Sequence, residues 1–184
     1  MENVNKISKI TIMLFVVVMV LIGTLSQSNA ATVEQNTWNY FRSVGCTKEV
    51  TAGIMGNIRQ ESNFKPSHNI AGNYGLYNIN QGYYYKLKKY AKKYNVSWKQ
   101  SKIQNMFMNN TLGPVYFKTY TGKVYKYSNG VKTWWPQKMT WKQFKKIRNV
   151  SKATIIFERV CERSGIPNHS RRILFAKKYY NKYK

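Results

Sequence analysis

Apolar residues recur every third or fourth position through most of the chain beyond residue 30, and that spacing predicts helices. Trp38 and Phe41 mark a short helix from Glu34 to Ser43, with Gly45 just past its end as a stop signal. Thr47 is expected to cap a second, in which Val50, Ile54 and Ile58 recur every fourth residue and Gly53 and Gly56 allow a neighbour to approach closely. Glu61 ends it. The stretch from Asn63 to Asn73 is dense in turn formers and reads as an ordered loop. A short extended piece around Tyr74 to Asn80 then leads into a helix carrying Leu87, Tyr90 and Tyr94. Ser97-Trp98-Lys99-Gln100 and Thr140-Trp141-Lys142-Gln143 both have the form of a capping box. The first is expected to open a helix with Ile103, Met106 and Phe107 inside, the second a short one. Ser151 and Ser170 are expected to start the last two helices, separated by Gly165 and Pro167.

Between Gly113 and Pro136 the pattern changes to alternation, with Thr121-Gly122 and Asn129-Gly130 as turn candidates. Residues 113–136 therefore read as a β-hairpin inserted in a mainly α domain, an α+β arrangement. Nothing marks a second domain. Residues 1–30 have the form of a signal peptide: Lys6 and Lys9 precede an apolar run from Ile10 to Leu25, and Ser28-Asn29-Ala30 provides small residues for cleavage. The alternative is an uncleaved anchor, the one route by which a membrane would become a partner. The domain is expected to be residues 31–184, secreted to the cell wall and monomeric.

Charge narrows the partners. Lys+Arg number 31 against 6 Asp+Glu, for a formal net charge of +25. A field of that size calls for a polyanion. For an exported chain this points to anionic wall polymers, and no nucleic acid is expected. The clusters Lys86/Lys88/Lys89, Lys92/Lys93 and Lys142/Lys145/Lys146 lack glutamate at helical spacing and read as the polyanion-binding surface. Two cysteines, Cys46 and Cys161, make one disulfide the expectation in an exported chain, with two buried thiols as the alternative. His68 and His169 have no ligand spacing around them and are expected to be solvated, so neither a metal nor a cofactor is indicated.

The segment "GIMGNIRQESNF", residues 53–64, places one of the few carboxylates, Glu61, where an apolar-striped helix runs out. The partial negative end of a helix disfavours an ionised carboxylate, which suits a proton donor. The longer stretch "AGIMGNIRQESNFKP" resembles the phage tail lysozyme family, a lysozyme-like branch that cleaves the glycan of peptidoglycan. The likeness extends in order through "YGLYNINQG", "YAKKYNVSWKQSKIQNMFMNNTL", "FERVCERSG" and "RRILFAKKYY". It implies a lysozyme-like fold, peptidoglycan as substrate and Glu61 as catalytic acid. Ser62, Asn73, Tyr74, Gly75, Asn78, Asn80, Gln81 and Tyr83 are the expected substrate-binding residues. The family's glutamine after the tyrosine-glycine strand falls at Asn78, and an acidic position falls at Thr111.

Glycosidic cleavage needs a group to protonate the leaving oxygen and something to meet the oxocarbenium-like carbon. The chain has no aspartate, and of its glutamates only Glu158 and Glu162 lie in a segment expected to approach Glu61. Either is a possible second carboxylate, although an ion pair with Arg163, Arg171 or Arg172 is the favoured role for Glu162. Without a second carboxylate, water held by Asn73 or Asn78, or the substrate's own acetamido group, takes that part. Hydrolysis and lytic transglycosylation both stay open. Tyr74 and the Tyr83 to Tyr85 run, beside Asn73, Asn78, Asn80 and Gln81, supply the aromatic faces and amides a sugar cleft wants. The competing reading is a cationic wall-binding or antimicrobial protein on a lysozyme scaffold, motivated by Asn78 and Thr111.

Overall fold

Helix α2 (Lys48–Ser62) is the axis of the domain, with ten of its fifteen residues buried. In the computed structural model, which describes residues 31–120 and 138–184, it follows α1 (Val33–Ser43). After it come three two-residue strands, β1 (Asn69–Ile70), β2 (Asn73–Tyr74) and β3 (Ile79–Asn80), and then α3 (Gln81–Lys93). Helix α4 (Ser101–Phe107) continues into a π-helical turn, Met108–Leu112, and α5 (Gly113–Thr119). Helices α6 (Trp141–Phe144) and α7 (Val150–Phe157), a second π-helical turn (Glu158–Glu162) and α8 (His169–Tyr183) complete the described chain. The architecture is mainly α with a small antiparallel sheet of order β1-β2-β3.

Helix α2 is central because its sequence lets neighbours come close on two sides. A Cβ added at Gly53 would lie 2.9 Å from the Thr154 backbone nitrogen of α7, and one at Gly56 would lie 2.5 Å from the Arg172 carbonyl oxygen of α8. Those glycines are the contact points of the two helices that pack most heavily on α2. Val50, Ile54, Met55 and Ile58 fill the space around them, fully buried with Phe41, Phe157 and Leu76. Each such side chain contributes on the order of 2 kcal/mol by leaving water. The expected cap holds: Thr47 Oγ1 accepts from the Val50 N–H, and Asn63 closes the helix in the left-handed region at φ 52°.

The sheet hangs on the C-terminal end of α2. Ser62 donates its hydroxyl to the Leu76 carbonyl, 2.9 Å, and buried Gln104 of α4 accepts from the Leu76 N–H while donating to the carbonyls of Pro66 and Trp98. Gly75 sits at φ 74°, where a Cβ would meet Gln104 Oε1 at 2.6 Å. These bonds fix the loop from Asn63 to Asn80 against the helices without long strands.

Several expected boundaries move. Gly113–Thr119 is a helix and not part of a hairpin; the remainder of the expected hairpin, residues 121–136, and the segment read as a signal peptide, residues 1–30, lie outside the described residues. The segment "GPVYFKTY" also places Gly113 and Phe117 four apart, and it is that helical pair that is buried. Helix α4 begins at Ser101, because Ser97 Oγ accepts from the Lys99 N–H in a turn rather than capping a helix. Asn149 and Asn168 occupy the N-cap positions of α7 and α8 in place of Ser151 and Ser170. The Thr140/Gln143 capping box forms as expected. Among the described residues no helix is long and apolar enough to cross a membrane.

Candidate active site

The last turn of α2 carries Glu61 into a position gripped from two elements. Arg172 of α8 ion-pairs with Glu61 Oε1, and the Asn78 side-chain amide donates to Oε2 at 3.1 Å. The two partners differ in burial: the Arg172 side chain is 3% exposed and that of Glu61 12%, so the carboxylate faces outward from a buried cation. Arg172 is itself immobilised. Its Nε donates to the Pro167 carbonyl, one terminal nitrogen to Asn57 Oδ1 and the other to Ser164 Oγ. Asn57, fully buried on α2, completes the chain by donating to the carbonyls of Gly53 and Thr154. A planar five-donor guanidinium is what such a fixed array requires.

The second π-helical turn delivers two further carboxyls. Glu158 is completely buried, accepting from the Ser164 N–H and contacting His169 Nε2 at 2.8 Å, with Arg159 alongside at 3.5 Å. Glu162 stands apart: its Oε1 is enclosed without a hydrogen-bond partner. Burial first, and then the neighbouring Glu61 carboxylate, push the Glu162 carboxyl well above the usual carboxylate range; Arg172 opposes this. A charge-balanced pair, Glu61 with Arg172, thus adjoins a carboxyl whose proton burial and Glu61 hold more tightly than usual.

The phage tail lysozyme profile matches residues 32–183, nearly the whole described domain. The chain belongs to the phage tail lysozyme family. Comparison with curated proteins finds no match. The lysozyme-like family places its chemistry on peptidoglycan, as a glycosidase or transglycosylase.

Set against this phage tail lysozyme scaffold, the expected site residues divide. Asn78 reaches Glu61 directly, held at φ 48° in the left-handed region that asparagine tolerates. Ser62 and Gly75 are buried structural positions. Asn80 is the N-cap of α3, accepting from the Tyr83 N–H, and Asn73 pairs with it across the sheet. Tyr74 stacks on Tyr84 with ring centroids 3.9 Å apart, and Trp98 meets Tyr84 edge-on at 5.0 Å. Tyr83 packs against Tyr116, and Gln81 is exposed, bonded to the Tyr85 hydroxyl. Around Glu61 the structure brings together Asn78 and Glu162. The aromatic cluster builds the wall behind the sheet.

Several expectations are corrected. Glu158 has its carboxylate occupied by His169 and the Ser164 N–H in the interior, so it is a structural hub and His169 is not solvated. Arg172 pairs with Glu61 rather than Glu162, because α8 crosses α2 at Gly56 and lays the guanidinium over the last turn of α2. Cys46 and Cys161 are free thiols, not a disulfide, each buried as a small apolar filler. Desolvation lifts Cys46 to about 12 and Cys161 well above its usual value, so neither is poised for exchange. Sequence reasoning also missed Asn57 and Gln104; mid-helix amides amid apolar neighbours were the available signal. Lys145 and Lys146, read as polyanion contacts, donate instead to the carbonyls of Val44 and Gly45 at the end of α1.

Proposed function

We propose that this family member is exported and cleaves the glycan strand of peptidoglycan with Glu61 as the general acid. The observation that carries the reading is the two-sided hold on Glu61 by Arg172 and Asn78. That hold fixes the orientation of the Glu61 carboxyl group, and the general-acid role requires that the group take up a proton before substrate cleavage; fixed geometry of this kind is one recognised part of catalysis. Burial and the Glu61 carboxylate push the Glu162 carboxyl beside it upward. Asn78, with its nitrogen committed to Glu61, has its carbonyl oxygen left to orient a water or the substrate's acetamido N–H. Single-acid chemistry of this kind leads to hydrolysis when water attacks the anomeric carbon, and to a 1,6-anhydro product when the sugar's own hydroxyl does.

A cavity of about 520 Å³ bounded by Lys88, Lys89, Lys92 and Trp98 lies on the far part of α3 and the turn after it. It supports a separate hold on anionic wall polymers. The wall-binding reading without catalysis draws on the same surface.

Purified walls treated with the intact protein and with Glu61→Gln decide between them. Release of glycan fragments by the first and not the second supports the assignment, and the reducing or anhydro end of the fragments names the reaction. Equal release by both removes Glu61 from the chemistry. Retention on walls with no release by either leaves the wall-binding reading.

A further inference from the structure

Beside Glu61 lies a cavity of about 370 Å³ whose other walls include Arg59, Lys65, His68, Arg171 and Phe175. Its charge is one-sided. Glu61 is the sole carboxylate lining it and is already neutralised by Arg172, which leaves Arg59, Lys65 and Arg171 uncompensated; among the described residues none of the three forms an ion pair. Both guanidinium groups are oriented by the same ring, with Arg59 5.7 Å and Arg171 5.5 Å from the Phe175 centroid. Stacking on an aromatic face fixes the plane of a guanidinium and leaves its N–H edge free to bind. Arg59 spends one donor on Asn63. The Arg171 guanidinium has no hydrogen bond to another side chain or carbonyl among the described residues.

We propose that this cavity is a carboxylate-binding subsite, which takes the acidic substituent of the glycan held at Glu61. The inference rests on the peptidoglycan-cleaving reading and extends it from the sugar backbone to what the backbone carries. A planar carboxylate matches guanidinium forks two donors at a time. The volume is at the small end of ligand cavities, enough for a side group rather than another length of polymer. Two sources of that carboxylate exist on the substrate: the lactyl ether of muramic acid, free where no peptide is attached, and the acidic residues of the stem peptide. A phosphate polymer is the less favoured occupant, since the cavity opens onto the reacting carboxyl itself.

Binding is measured by calorimetry in a Glu61→Gln background, which prevents turnover. Three glycans of equal length serve as probes: one bearing stem peptides, one stripped of them by an amidase so that lactyl carboxylates remain, and a neutral chitin oligosaccharide. The expected result is that Arg59→Gln with Arg171→Gln lowers the preference for a carboxylate-bearing glycan over chitin by about tenfold, the scale of two partly exposed charged hydrogen bonds. Lysine at both positions restores part of it. Loss confined to the peptide-bearing glycan assigns the stem peptide, loss confined to the stripped glycan assigns the lactyl group, and loss on both means that the cavity takes either carboxylate. Should the double variant misfold, Lys65→Gln alone, at an exposed position, is expected to lower the same ratio by a smaller factor. An unchanged preference, with glycan still bound, overturns the subsite and leaves the proposed function intact. Failure of the intact protein to bind or cleave any of the three overturns that function, and the subsite with it.

Discussion

The side-chain amide of Asn78 donates to Glu61 Oε2 at 3.1 Å, so the loop between β2 and β3 reports directly on the last turn of α2. Asn78→Gly tests this link, because glycine keeps the φ of 48° available while deleting the amide. Activity on walls should fall on the order of tenfold through lost positioning. The cost in stability should stay near 1 kcal/mol, the scale of one hydrogen bond. Arg172→Lys should be the opposite case. One ammonium cannot replace donors to Pro167, Asn57, Ser164 and Glu61 at once, so stability should drop by about 3 kcal/mol in urea titrations.

Gly56 and Gly82 should respond to alanine with opposite signs. At Gly56 the new Cβ would face the Arg172 carbonyl at 2.5 Å and the Ala176 nitrogen at 2.8 Å, backbone atoms that move only with α8. Overpacking of about 1–3 kcal/mol should outweigh the roughly 1 kcal/mol that alanine gains in helix propensity. Because α8 carries Arg172, activity should fall with stability. At Gly82 the nearest atom is Asn80 Oδ1 at 3.5 Å, an ordinary contact, so Gly82→Ala should stabilise by about 0.5–1 kcal/mol. Urea midpoints of both variants check the signs.

The cysteines should be silent in the native protein. With Cys46 lifted to about 12 and Cys161 also raised by burial, almost no thiolate exists near pH 8. Iodoacetamide should label neither until urea is added, and then both. A mass two hydrogen atoms short under non-reducing conditions would restore the disulfide expected from the even count.

The helical frame was readable because its signals are local: Val50, Ile54 and Ile58 repeat along one face, and Thr47 and the Thr140 box cap where their spacing says they should. The position of Glu61 in the last turn of α2 was legible for the same reason. The sheet was not, since strands of two residues carry no alternation and their turn at Ala71-Gly72 depends on left-handed φ values. Non-local choices were hidden as well. Nothing in "SRRILF" says that Arg172 turns inward to Glu61 while Arg171 turns out to Phe175; that follows from where α8 crosses Gly56.

Glu162 gives the protein a pH dependence whose sign can be worked out. Its folded carboxyl is pushed well above 4.5 by burial and by Glu61, so the folded chain holds this proton more tightly than the unfolded chain. The stability from that proton is fully present below the unfolded value near 4.5 and is lost as pH rises through the folded one. Glu162→Gln keeps the shape of the protonated acid and cannot ionise. Relative to the variant, the intact protein should therefore lose stability on going from about pH 4.5 upward, by at most about 1.4 kcal/mol per pH unit. The difference should level off once the folded carboxyl has ionised. Urea unfolding of both proteins across that pH range measures it. Parallel curves would mean that Glu162 ionises as readily in the folded chain as in the unfolded one, and would remove it as the proton reserve beside Glu61.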